Sequence, residues 1–277
     1  SIEEISSRMV SSTPLIGVDK LRKEGITGKG IKVGVLDTGI DYNHPDLKEN
    51  YRPGGDDYVN NDEDPMETTY DDWSKSGEPE KDDWGNNYYT SHGTHVSGTI
   101  GANGKNSESE FAVTGIAPDV ELYAYKVLGP YGVGSSADII AAIEQSVKDG
   151  MDVINLSLGI TTPRPLYPSS IACNNAAIAG VVPVVANGNS GLGASTLGSP
   201  GTSPLSISVG ASTTNISIDK FKLELPDGNA IDGELIARPF DSIDSVVGNE
   251  YEIIYGGFGF DYELSELDVK GKVLFVD

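Results

Sequence analysis

Cysteine, histidine and basic residues are scarce in this 277-residue chain. Its one cysteine, Cys173, has no partner for an internal disulfide, so a disulfide-stapled scaffold is excluded. A lone thiol suits the cytosol and bacterial exoproteins alike. Lys and Arg number 19 against 42 Asp and Glu, for a net charge of −23. Such a surface repels phosphate backbones and anionic lipid, which argues against nucleic acid and membrane surfaces as partners. No apolar run approaches the roughly 18 residues that a membrane-spanning helix needs. The opening SIEEISSRMVSS lacks the basic-then-apolar pattern of a signal peptide, which leaves a cytosolic or a processed chain.

What is present is the alternation of an α/β fold. The 38% hydrophobic content suffices for one large domain, or one domain and part of another. IKVGVLD (31–37) is a short β-branched run ending at Asp37, as expected of a buried parallel strand. ELYAYKVL (121–128), MDVINLSLG (151–159), VVPVVANGNSG (181–191) and PLSISVGA (204–211) read the same way. Between them, SADIIAAIEQSVKDG (136–150) and SSIACNNAAIAG (169–180) have helical spacing; the first has a serine N-cap candidate and a terminal glycine. Strands alternating with helices predict a parallel sheet flanked by helices, with chemistry at the carboxyl ends of the strands. Asp37 and Asn189 fall there.

Two segments break the alternation. Residues 56–83 hold twelve Asp or Glu and two Lys, which predicts a solvated surface loop, with a calcium site as the other reading. Past about residue 213 the texture turns to short β-type runs, FKLELPDG, YEIIYGG and GKVLFVD. These read as the start of a second, β-rich module, and the polypeptide is expected to continue beyond residue 277.

The stretch SHGTHVSGTIG (91–101) carries His92 and His95 three apart at the glycine-flanked start of a helix. That spacing puts both on roughly one helical face. Three readings follow from the residues: a metal site with Asp37, a buried hydrogen-bonded pair, or one arm of a catalytic machine.

VGVLDTGIDYNHPDL (33–47), SHGTHVSGTI (91–100), INLSLG (154–159) and ANGNSG (186–191) occur in that order. Together they resemble the subtilisin-like serine proteases over about residues 14–213. The acidic insertion and the β-type runs after residue 213 resemble the bacillar extracellular branch that carries an inserted protease-associated domain. The resemblance implies a lead-in segment over 1–30, part of a subtilisin-like catalytic domain over 31–213, and the start of that inserted domain over 214–277. It also implies a secreted or cell-surface location, with a signal peptide and prodomain preceding this form.

The resemblance assigns roles residue by residue. Asp37 matches the catalytic aspartate and His92 the general base, leaving His95 as a packed helix residue with no ligand role. Asn189 matches the oxyanion-hole asparagine. Ser157, Leu158 and Gly159 resemble one edge of the substrate cleft and Gly132, Val133 and Gly134 the other, so the implied partner is extended polypeptide held by β-augmentation. Asp41 matches a position that ligates a structural calcium in several relatives, although 102–115 differs from the expected calcium loop. The chemistry itself requires no cofactor.

The family's serine motif, Gly-Thr-Ser-x-Ala/Ser-x-Pro at a helix start, is missing. GTSPLS (201–206) imitates it, but Pro204 follows Ser203 and a β-type run follows that. The chain is therefore expected to hydrolyse peptides poorly alone, with the serine on another piece of the polypeptide. Two alternatives remain: an inactive peptide-binding relative, and a metalloenzyme using Asp37, His92 and His95.

Overall fold

A computed structural model describes residues 12–106, 114–212, 220–234, 248–257, 264 and 267–276. The chain divides into two units, Ser1–Ser217 and Ile218–Asp277. Parts of the lead-in, the 102–115 loop and the C-terminal module lie outside the described residues.

In the first unit a six-stranded, all-parallel sheet forms the middle layer. Its strands are β1 (Lys32–Asp37), β2 (Asp56–Asp57), β3 (Glu121–Lys126), β4 (Val153–Leu156), β5 (Val182–Ala186) and β6 (Ile207–Val209), in the order β2-β3-β1-β4-β5-β6. Period-two alternation divides their side chains between two cores. Val33, Val35, Leu122 and Ala124 enter one, with Ile40, Leu47 and Ala102. Leu36, Tyr125, Ile154, Leu156 and Val185 enter the other, with Ala142, Ile143, Ala172, Cys173 and Ala176 from two helices.

Those helices are α4 (Ser136–Lys148) and α5 (Pro168–Ile178). In α4, Ile139, Ile143 and Val147 recur every four residues toward the sheet. Ser135 caps it by accepting the Asp138 N–H at 3.1 Å, one residue before the predicted segment begins. The other face is covered by α3 (His92–Gly101), whose buried residues Gly93, Ser97 and Gly101 make an i, i+4, i+8 stripe. Small residues there let the helix backbone lie close to β1 and β3. Two shorter helices, α1 (Val18–Lys23) and α2 (Tyr70–Ser76), are also present in the unit.

The acidic stretch departs from the predicted solvated loop. It contributes edge strand β2, pairing Asp56 and Asp57 with Tyr125 and Lys126, and helix α2, closed by a reciprocal Thr69–Asp72 capping box. Asp57 and Glu67 are buried. Acidic composition concealed both elements, because neither has an apolar periodicity long enough to read. The 151–159 strand ends early, at Leu156, because Ser157–Gly159 leave the sheet.

The second unit holds an antiparallel hairpin, β7 (Lys220–Glu224) with β8 (Ala230–Glu234), and a parallel pair, β9 (Ile253–Tyr255) with β10 (Val273–Phe275). The hairpin turn closes through Leu225 N–H to Asn229 O at 2.8 Å. Among the described residues, no helix is long and apolar enough to cross a membrane.

Candidate active site

Strand β1 ends on Asp37, whose side chain is wholly buried. Its backbone carbonyl accepts N–H bonds from Val127 and Leu128, which fixes the strand end. Its Oδ1 accepts the Thr38 N–H at 2.7 Å and lies 2.7 Å from His92 Nδ1. The second oxygen, Oδ2, is buried without a hydrogen-bond partner. His92 opens α3 with its side chain 55% exposed. Aspartate below, imidazole above and solvent beyond is the resulting order.

The Asp37 hydrogen bond, reinforced by the charges of Asp37 and Glu67, raises the His92 pKa above its ordinary 6.5, although partial burial works against it. A bond from Nδ1–H to Asp37 leaves Nε2 as the lone-pair nitrogen of the neutral ring. Among the described residues, His92 has no side-chain hydrogen-bond partner other than Asp37.

The start of α3 is capped from outside. Ser91 makes no side-chain cap bond. Instead Thr38 Oγ1 accepts the Gly93 N–H at 2.8 Å, and Glu67 Oε1 accepts the Thr94 N–H at 2.8 Å. Glu67 was invisible to motif reading, and its only sequence signal was position inside the acidic run. A second missed group is Lys126, the Cα partner of Asp37 in the sheet. It is buried, donating from Nζ to Met66 O at 2.6 Å and Thr68 Oγ1 at 3.1 Å, and burial lowers its pKa.

His95 is exposed rather than packed. It lies two residues from Gly93, so the helix turns it about 200° from the buried 93/97/101 stripe. The spacing does put two histidines near one face, but that face is not the one against the sheet. Asp37, His92 and His95 assemble no metal site; no group of three His, Cys, Asp or Glu that could hold a metal exists among the described residues.

Asp41 lies in the loop that follows β1. Its Oδ1 accepts the Asn43 N–H at 3.0 Å, an Asx-type turn cap. Two carboxylates meet the 102–106 loop: Asp46 Oδ1 accepts the Asn106 N–H at 2.9 Å, and Glu49 Oε2 accepts from Lys105 Nζ at 2.8 Å.

Asn189 is exposed just past β5. Gly132 and Val133 close a tight turn in which Val133 O accepts the Gly129 N–H at 2.8 Å, and Gly134 lies against the Val127 carbonyl. Opposite character marks Ser157, Leu158 and Gly159: among the described residues their backbone groups have no intramolecular backbone partner. Ser203 is buried, donates to Asn174 Oδ1 at 2.8 Å and accepts from Ser206 Oγ at 2.7 Å.

A three-layer parallel sheet with this aspartate–histidine pair at its carboxyl edge defines a subtilisin-like α/β protein. Residues 28–248 match the model of Peptidase S8, the subtilase family, and the chain belongs to that family. It is 40% identical over 278 residues to the minor extracellular protease Vpr of Bacillus subtilis (strain 168), a match covering 100% of this chain and 32% of that protein. It is 39% identical over 204 residues to subtilisin DY of Bacillus licheniformis, covering 73% of this chain and 64% of the relative. Among solved structures it resembles Sphericase, with a TM-score of 0.52 and 32% identity over 75% of this chain and 59% of the other. The chain thus spans about a third of the length of Vpr and under two thirds of subtilisin DY.

Proposed function

We propose that this chain supplies the aspartate, histidine and oxyanion donor of a serine endopeptidase acting on extended polypeptide. The nucleophilic serine comes from sequence outside these 277 residues, which by themselves turn over peptide poorly. The observation that carries this reading is the 2.7 Å Asp37 Oδ1–His92 Nδ1 hydrogen bond at the carboxyl end of β1. Burial and bonding of Ser203 to Asn174 argue that this serine is not the nucleophile.

In that reading Nε2 of His92 takes the serine proton as the oxygen attacks the scissile carbonyl. Asp37 holds the ring in the tautomer that exposes Nε2 and stabilises the imidazolium. Asn189 donates its amide to the oxyanion, a contact worth roughly 3–4 kcal/mol in a subtilisin. His92 then returns the proton to the leaving amine. The unpaired backbone of Ser157–Gly159 supports one strand edge for the substrate. The other edge, Gly132–Gly134, rests on the family resemblance, since Val133 already uses its N–H and C=O within its turn. Every step uses protein groups. The name of the Vpr relative supports an extracellular setting. The β-strand pairs of the second unit support residues 214–277 as the start of a protease-associated domain.

The test is a fluorophosphonate probe applied to the complete gene product, with hydrolysis of an unstructured polypeptide as readout. Labelling of one serine outside residues 1–277, abolished with hydrolysis by His92→Ala, is the expected result. Binding of the polypeptide without labelling or cleavage would instead establish a non-catalytic peptide-binding relative.

A further inference from the structure

We propose that Glu67 is the positioning residue of His92, its carboxylate clamping the first turn of α3 and acting by its charge on the imidazole. This rests on His92 being the general base.

Its nearest acidic neighbours Glu63, Asp64, Asp71 and Asp72 are exposed, whereas Glu67 turns inward, at 6% exposure. Burying a carboxylate is costly unless its oxygens are satisfied. Here both are. Oε1 accepts the Thr94 N–H at 2.8 Å and Thr94 Oγ1 at 3.0 Å, and Oε2 accepts Thr90 Oγ1 at 2.6 Å. All three donors lie two residues from His92, on either side of it. The same Thr94 hydroxyl accepts the Asp41 N–H at 2.8 Å, which ties the clamp to the loop leaving β1.

A clamp must itself be held. Ile40 donates its N–H to Pro65 O at 2.9 Å, and Thr90 donates its N–H to Thr68 O at 2.8 Å. Lys126 grips the residues on both sides of Glu67, through Met66 O and Thr68 Oγ1. Gly39 passes so close that a Cβ there would meet Pro65 O, Met66 O and Glu67 N within 2.9 Å. The acidic segment is therefore bound to the end of β1, the end of β3 and the residue before Ser91 at once.

Two carboxylates act by their charge on His92. Asp37 on β1 and Glu67 both favour the imidazolium. Lys126 on β3 spends its ammonium on Met66 and Thr68 and sits in the field of Asp57, Glu67, Asp72 and Asp62. His95, three residues on along α3, is exposed.

The experiment titrates the histidines of this chain by NMR. There are only three, and His92→Gln assigns the signal of interest. The Glu67→Gln substitution is expected to move the His92 titration to lower pH with the fold intact by circular dichroism. The Glu67→Asp substitution keeps the charge but shortens the reach, and is expected to speed exchange of the Thr94 amide. An unchanged His92 titration in folded Glu67→Gln overturns the proposal. Should that variant not fold, Thr90→Val removes one donor and leaves the charge, and unchanged Thr94 amide exchange then overturns it. In the complete gene product, Glu67→Gln is expected to lower kcat about tenfold with KM little changed. A gene product that hydrolyses nothing would sink the endopeptidase reading, while the titration would still judge Glu67.

Discussion

Gly93 lies against Gly39 with no room for a side chain between them. A Cβ on Gly93 would overlap the Gly39 carbonyl oxygen and stand 3.1 Å from Asp37 Cβ. The histidine preceding Gly93 can therefore reach Asp37 only because the residue after it is glycine. Gly39 itself has a φ of 118°, a conformation in which a side chain is strained.

Replacing Gly93 with alanine should push α3 off the end of β1. The expected cost is about 1–3 kcal/mol of stability, as for overpacking a tight core. Activity of the complete gene product should fall about 100-fold through displacement of His92. Denaturant melts and hydrolysis rates of Gly93→Ala check both figures, and wild-type values would contradict the close-approach argument.

The pH dependence follows from His92. Its pKa is raised, and only the neutral ring can accept the serine proton. Activity should therefore rise with pH through a midpoint above 6.5. Stability runs the other way. The contribution of the Asp37–His92 pair is fully present below the unfolded pKa, near 6.5, and is lost as pH rises through the higher folded value. Asp37→Asn should move the midpoint down and cost roughly 10⁴ in kcat, the loss typical of removing the aspartate of such a triad. A pH–rate profile of both proteins provides the check.

Ser203 should behave as a structural hydroxyl. Ser203→Ala is expected to leave fluorophosphonate labelling of the gene product unchanged. It should cost about 1–2 kcal/mol, because Asn174 Oδ1 loses one of its two donors, keeping the Leu205 N–H. Loss of labelling in this variant would make Ser203 the nucleophile.

Cys173 lies fully buried in the core between the sheet and α4 and α5. Burial pushes its thiol up to about 12, so little thiolate exists near neutral pH. An aromatic disulfide reagent should leave the native chain unmodified and react with one equivalent in denaturant. Rapid labelling of the native chain would show that the α5 face opens readily.

Five strands were legible as β-branched runs and helices α4 and α5 as apolar repeats. Burial on both faces leaves that pattern in β1 and β3, whereas the edge strand β6 carries it although its residues are exposed, contrary to the buried strand expected there. Strand β2 and helix α2 were not legible: two aspartates and a seven-residue helix carry no such pattern and depend on pairing with β3 and on the Thr69–Asp72 cap. His95, given a packed role by the resemblance, is exposed instead, because i, i+3 spacing shows which residues share a face and not which face meets the sheet.

By itself, then, the sequence determined the order of strands and helices and the motifs around Asp37, His92 and Asn189. Only the tertiary structure decided that Asp37 and His92, 55 residues apart, meet at 2.7 Å, and that Glu67, 27 residues before Thr94, caps the helix that His92 opens. The reason is physical. Propensity and periodicity act over a few neighbouring residues. The burial of a charged group such as Glu67 or Lys126 is settled by donors and acceptors that distant segments bring to it when the chain closes.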